Sequence, residues 1–351
     1  MRNGALALAA ALVAASSTAF AQTDTLFGAP GASTMQHGSI YIGAGPQYQS
    51  LGMPKYNLGF TRTDTAFNDL GAQAEHTLRA EMLGGNAVIG HVFGTMPAWL
   101  GAHPRLELGG MIAASAGESD FRTNRAFGGT QLLNGFIPAY GCNPCDWTSS
   151  LRRNAKQFRL WLMMGADHAL APEWYLTPSF GAIGGRVRVS DELRQTFAAP
   201  GGTPPLSQHY TATTHLHWWD IGGRGKLVLT YKPRPWLALF VGGHIDLTSR
   251  RATFDGVDSY LDGFSRSTAS DSATRFNFAG GGQFGVTFAD GNWLLVSLIG
   301  AVDYDHRVPR IERPFGGNLA VNDSTFQTPA RIAFGSAVNY AAHLRIVVRL
   351  P

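Results

Sequence analysis

From 330 to 350 every second residue is apolar: Ile332, Phe334, Val338, Tyr340, Ala342, Leu344, Ile346, Val348 and Leu350, with Ser336 the polar member of the set. The positions between them hold Arg331, Asn339, His343, Arg345 and Arg349, spaced with Gly, Ala and Val. A period of two belongs to a strand with two unlike faces. The pattern recurs upstream. Over 236–250, Leu237, Leu239, Val241, Ile245 and Leu247 alternate with His244, Asp246, Thr248 and Arg250. Over 273–288, Phe276, Phe278, Phe284, Val286 and Phe288 face away from Arg275, Asn277, Gln283 and Thr287. Leu294, Val296, Leu298, Val302 and Tyr304 oppose Ser297, Asp303, Asp305 and Arg307 in the same way. Over 156–170, Phe158, Leu160, Leu162 and Met164 oppose Gln157, Arg159, Trp161 and Asp167.

The connections alternate in length. Tight turns rich in Pro, Gly, Asn and Asp fall at 171–173, 232–235 and 290–292, and longer polar stretches at 117–154, 191–207, 251–270 and 309–328. The pattern predicts strands at 38–50, 55–66, 73–83, 86–95, 104–116, 155–170, 173–190, 208–231, 235–250, 271–289, 292–308 and 329–350. That is an all-β chain: a closed antiparallel up-and-down transmembrane barrel of about 12 strands (10–14 fit), with short periplasmic turns and long extracellular loops. Its apolar face meets lipid and its Arg-bearing face meets water, and a sheet in hydrocarbon must close to satisfy its backbone. A secreted β-sandwich or solenoid is the soluble alternative, and it rarely keeps this alternation of connection length.

Three local features test the scheme. Gly84-Gly85 reads as a very tight hairpin. In 173–190 the apolar face shifts after Gly184-Gly185, which predicts a glycine bulge that sends Arg186 and Arg188 inward. Pro178 in the same segment should interrupt a ladder bond. Trp174, Tyr231, Trp236 and Trp293 stand at strand ends as interfacial girdles do, although the alternation turns Trp236 and Trp293 inward.

The N-terminus carries Arg2, an apolar stretch from Ala5 to Ala15 and a small-x-small site at Ala19-Phe20-Ala21. This reads as a secretory signal over 1–21, followed by a periplasmic segment at 22–37 and the barrel at 38–351. No uninterrupted apolar run of helix-spanning length follows it. Charged residues make up only 15% and the net charge is +4, with no Lys/Arg run, so nucleic acid is not an expected partner.

With the signal through Ala21, the alternating segments and a terminal strand to Leu350, the chain resembles bacterial outer-membrane β-barrel proteins of the porin-like kind. The resemblance implies a Gram-negative outer-membrane location, lipid and small solutes as partners, passive transport and a possible homo-oligomer. Such proteins commonly end in an aromatic residue; this one ends in Leu350-Pro351.

The inward face collects Arg79, Arg105, Arg159, Arg186, Arg188, Arg224, Lys226, Arg250, Arg275, Arg307, Arg331, Arg345 and Arg349 against Glu75, Glu81, Glu107, Asp167, Asp220, Asp246, Asp303 and Asp305. A basic surplus lining a pore favours anions, so a narrow channel for small anionic or sugar-like solutes is one expectation. The other is a lumen plugged by Arg–carboxylate pairs, in a structural or adhesive barrel that displays its loops. An outer-membrane hydrolase is the weaker reading. His244 and Asp246 share a face, as a base and its orienting carboxylate do, but no partnered Ser or second Asp pair is recognisable. His215 and His217 share a face without a third ligand, so no metal site is expected, and no cofactor motif is present. Cys142 and Cys145, in the longest polar stretch, read as a small loop-clamping disulfide.

Overall fold

The computed structural model describes residues 39–53, 56–62, 70–76, 79–93, 102–132, 135–138, 145–198, 208–260, 265–290, 293–312 and 329–350. The signal, the periplasmic segment and Cys142 lie outside them, as do the side chains of Cys145 and Glu75. The described residues form strands β1 (Ile40–Leu51), β2 (Tyr56–Arg62), β3 (Leu70–His76), β4 (Ala80–Val92), β5 (Ala102–Leu132), β6 (Gly135–Pro138), β7 (Cys145–Ala171), β8 (Trp174–Ala198), β9 (Gln208–Arg234), β10 (Leu237–Tyr260), β11 (Ser265–Asp290), β12 (Leu294–Glu312) and β13 (Arg331–Leu350).

Ten of these close a ring in which every neighbour is antiparallel: β1, β4, β5, β7, β8, β9, β10, β11, β12 and β13, with β13 returning to β1. The seam pairs Ile40 with Leu350. Strands β2 and β3 are not ring members. They form a hairpin attached to the far end of β5 through Phe60–Gly129 and its neighbours, and β6 pairs the same end. The expectation of twelve strands is therefore corrected to ten. Gly84-Gly85 is not a hairpin: Met82, Asn86 and Val88 are buried and Leu83, Ala87 and Ile89 turned out through one unbroken strand paired to β1. Glycine continues a strand as readily as it turns one, and only the register of the partner decides.

Most of the stretches read as long polar loops are wall. β5 runs on to Leu132, β7 begins at Cys145, β8 continues to Ala198, and β10 and β11 leave only 261–264 between them. The wall is consequently uneven in height. β5 and β7 to β11 have 24 to 31 residues each, and β1 and β4 have 12 and 13.

Along one strand the parity holds while the chemistry of its two faces exchanges. In β8 the outward positions are Phe180 and Ala182 near the short turn, then Arg186, Arg188 and Ser190 beyond it, while Ile183, Val187, Val189 and Asp191 stay inside throughout. Pairing to β7 and β9 runs through Gly184-Gly185 without a shift, so no bulge forms. What changes is which face is apolar. Pro178 has Leu227 as its partner on β9 and none on β7, so it does interrupt one ladder. Trp236 and Trp293, turned inward by the sequence reading, stand exposed at the tight turns, Trp236 stacked on Phe288.

Candidate functional site

The interior of the ring is the first place to look for chemistry, and it is filled. Buried Leu51, Met82, Ala113, Ala155, Val187, Val189, Leu216, Trp218, Ala252, Phe254, Ala269, Val308 and Ile332 belong to one contiguous apolar cluster. Every ring strand contributes at least one of them. This layer lies toward the ends of the strands remote from the tight turns.

Nearer the turns comes a belt of charge. Arg224 of β9 makes a two-pronged pair with Asp246 of β10, Nε–Oδ1 and Nη2–Oδ2 both 2.6 Å. Arg250 of β10 holds two carboxylates: Nε reaches Asp220 Oδ1 at 2.6 Å, and Nη1 and Nη2 reach Asp305 of β12 at 2.9 Å. Its Nη1 also donates to the Arg307 carbonyl at 2.5 Å. Planar guanidinium matched to carboxylate in this way is the strongest arrangement of such groups. Arg159 of β7 reaches across to Asp246 of β10, 3.9 Å between Nη1 and Oδ2, so the pairing bridges strands three places apart in the ring. Buried Glu107 of β5 accepts hydrogen bonds from Tyr41 of β1 at 3.2 Å and Trp161 of β7 at 3.1 Å. Arg345 of β13, fully buried, donates to Asn86 of β4 at 2.9 Å. Below the belt, Arg105 pairs with Asp167 at 3.2 Å, and Thr177 donates to the same carboxylate at 2.7 Å.

Of the residues expected to line a pore, Arg159, Arg224, Lys226, Arg250, Arg345, Asp220, Asp246, Asp303 and Asp305 do face the interior. Five do not line it as expected. Arg186 and Arg188 point out of the ring because its parity is unbroken. Arg331 is exposed at the far end of β13, paired with Glu312 at 2.9 Å. Arg275 is exposed and Arg307 half-buried where the wall is thinnest: β11 pairs with β12 only as far as Ala279–Asp305, and beyond that Arg307 donates to the Phe276 carbonyl and Asn277 at 2.7 and 3.0 Å. Arg79 and Glu81 also lie on the outer face, where Arg79 stacks on Tyr340 and Glu81 accepts from Ser50 and Tyr48.

The His244–Asp246 dyad does not form. Asp246 is committed to Arg224, and His244 lies 3.6 Å from Asp303. Sequence reasoning placed Trp161 on the polar face but gave it no role; its indole, 1% exposed, covers Gly109, where a Cβ would occupy the ring. A bulky aromatic on the charged parity opposite a glycine was the signal available.

On the outside a second feature stands out: an open groove of about 730 Å³ whose lining includes Lys156, Arg186, Arg188, His215 and His217. His215 and His217 share a face, as their spacing indicated, but bond Ser190 at 2.9 Å and Thr253 at 2.6 Å respectively.

The site and fold together define an antiparallel β ring with a packed interior. No family model and no curated protein matches the chain. Among solved structures it is similar to the outer membrane protease OmpT from Escherichia coli, at 12% identity over 89% of this chain and 97% of that one, TM-score 0.44. An outer membrane channel from Pseudomonas putida F1 follows at 10% identity, covering 94% of this chain and 100% of that one, TM-score 0.33. The translocator domain of the autotransporter NalP from Neisseria meningitidis has 11% identity over 97% and 93%, TM-score 0.29.

Proposed function

We propose that the chain is an integral outer-membrane barrel whose interior is shut, and that it serves as a rigid platform displaying its tall wall and loops at the cell surface. Support for the membrane comes from the outer face. Leu83, Phe180, Ile221, Phe276 and Phe284 are each 60–72% exposed, a density of outward apolar side chains that water would penalise. On β9 the outward set runs from Tyr231 to Trp219, thirteen residues and twelve steps along the strand. At about 3.3 Å per residue and a tilt of about 45° that is about 28 Å, close to the apolar band such barrels carry.

The observation that carries the shut interior is the apolar layer contributed by all ten ring strands. A solute would have to part that layer and then the paired charges beneath it, and a dry apolar constriction is itself a barrier to ions. The purified protein in planar lipid bilayers should give no stepwise conductance, and liposomes bearing it should not swell in small sugars. Reproducible current steps would overturn the platform reading, and their reversal potential would then report whether the channel prefers anions.

A further inference from the structure

The outward groove gathers basic side chains on the described wall, and its position is set by strand register. Lys156 of β7 pairs with Arg188 of β8, and Arg188 with His217 of β9, so the three stand in one row. The next row toward the turns is Phe158, Arg186, Trp219 and Arg251. Neighbouring strands are about 4.8 Å apart and successive rows on one face about 6.6 Å, which brings Lys156, Arg186 and Arg188 within reach of a single small anion. The Arg186 guanidinium lies 4.6 Å above the Trp219 ring, and its buried Nε has no hydrogen-bond partner. Lys156 and Arg188 are exposed and make no hydrogen bond or salt bridge among the described residues. Of the acids nearby on the same face, Glu192 is held by Arg194 at 2.5 Å, and Asp255 lies a row beyond Lys156 and Arg188, opposite His215, where its charge acts on the His217 imidazole at the groove's edge. By contrast, the outward Arg79 on the other side of the ring is tied to Ser50 at 2.6 Å and to the Val338 carbonyl at 2.8 Å.

We propose that this groove binds the phosphate of a lipid headgroup in the surrounding leaflet, Lys156 and Arg188 contacting it directly and Arg186 closing the lower side. The assignment rests on the membrane reading above, and it goes beyond it in naming a ligand. Two features select a lipid over a soluble anion. The cluster begins in the row where the apolar band ends, so a bound phosphate leaves its acyl chains against Ile112, Phe158 and Ile221, which are 50%, 43% and 72% exposed. Trp219, at the same level, is the residue type that seats at such an interface.

The test uses the full chain in zwitterionic detergent micelles, titrated with dioctanoyl phosphatidic acid and read by native mass spectrometry. Phosphatidic acid should bind, and the Lys156→Ser/Arg188→Ser protein should bind it about 30-fold more weakly, from the usual contribution of two basic groups near a lipid surface. Lys156→Arg/Arg188→Lys should stay within about threefold, because a phosphate monoester accepts either cation. Arg331→Ser, exposed at the far end of β13 and outside the groove, should bind as the parent does. Should the double Ser protein fail to fold, Arg188→Gln alone is expected to lose about fivefold. Equal binding by parent and Ser variants, or dioctanoyl phosphatidylcholine binding as tightly as phosphatidic acid, would overturn the proposal. Inorganic phosphate binding as tightly as the lipid would overturn it in favour of a soluble anion. A protein that stays dissolved and monodisperse without detergent would instead overturn the membrane reading itself.

Discussion

Asp246→Ala should lower the unfolding free energy by about 3–5 kcal/mol, the usual cost of removing one partner from a buried ion pair. The reason is local. Asp246 is 2% exposed and answers both prongs of Arg224 while also facing Arg159, so its loss leaves two guanidiniums inside a packed ring. Removing both partners is a different matter, since Arg224→Met with Asp246→Leu eliminates the charges along with their desolvation and should recover most of the loss. Arg194→Ala, which breaks an exposed pair, should cost less than about 1 kcal/mol. Urea unfolding in lipid vesicles, followed by tryptophan emission, measures all three. A loss below about 1 kcal/mol for Asp246→Ala would mean that water already reaches Arg224, and the shut interior would fall with it.

Trp161→Ala should cost about 3–5 kcal/mol, as expected for deleting a buried indole. Trp161 packs with Met111, Met163 and Ile183, covers Gly109, and donates to Glu107, so the deletion opens a cavity and strips a carboxylate of one donor. Gly109→Val attacks the same contact from the other side: the added side chain must displace the indole, at about 1–3 kcal/mol. Because the two residues touch, the changes should not add. The double variant should be more stable than the sum of the single losses implies, by about 0.5–3 kcal/mol. Strict additivity in the same unfolding assay would show that the ring does not rest on Gly109.

Much of the fold was legible. The period of two in β7 and β9 to β13, the turns at 171–173, 232–235 and 290–292, and the all-β character follow from residue order alone. Missing from the alternation was any statement of where the solvent changes. Reading apolar as outward is correct from Trp174 to Ala182 and wrong from Val187 on, because there the outward residues are polar and the inward ones pack into an apolar core. That one inversion produced both the bulge assigned to Gly184-Gly185 and the inward placement of Arg186 and Arg188. It also explains the long loops: 191–198 and 251–260 read as polar because their outward residues are polar, yet they are strand. The count of twelve failed for two other reasons: β2 and β3 pair as a hairpin outside the ring, and at Gly84-Gly85 only the partner strand β1 shows that the chain does not turn. The charged interior residues were found by parity; who pairs with whom was not, since Arg250 meets Asp305 and Arg159 meets Asp246 across strands that sequence proximity does not join.

The seam of the ring sets the order in which such a chain can be made. Ile40 and Leu350, paired at closure, are 310 positions apart, so β1 keeps an open edge until β13 has been made. Contacts of that separation form slowly, and an unmated edge invites pairing with a neighbouring copy. A chain without β13 would leave the β1 edge unpaired, and with it a template for pairing between copies, however well the other strands pair.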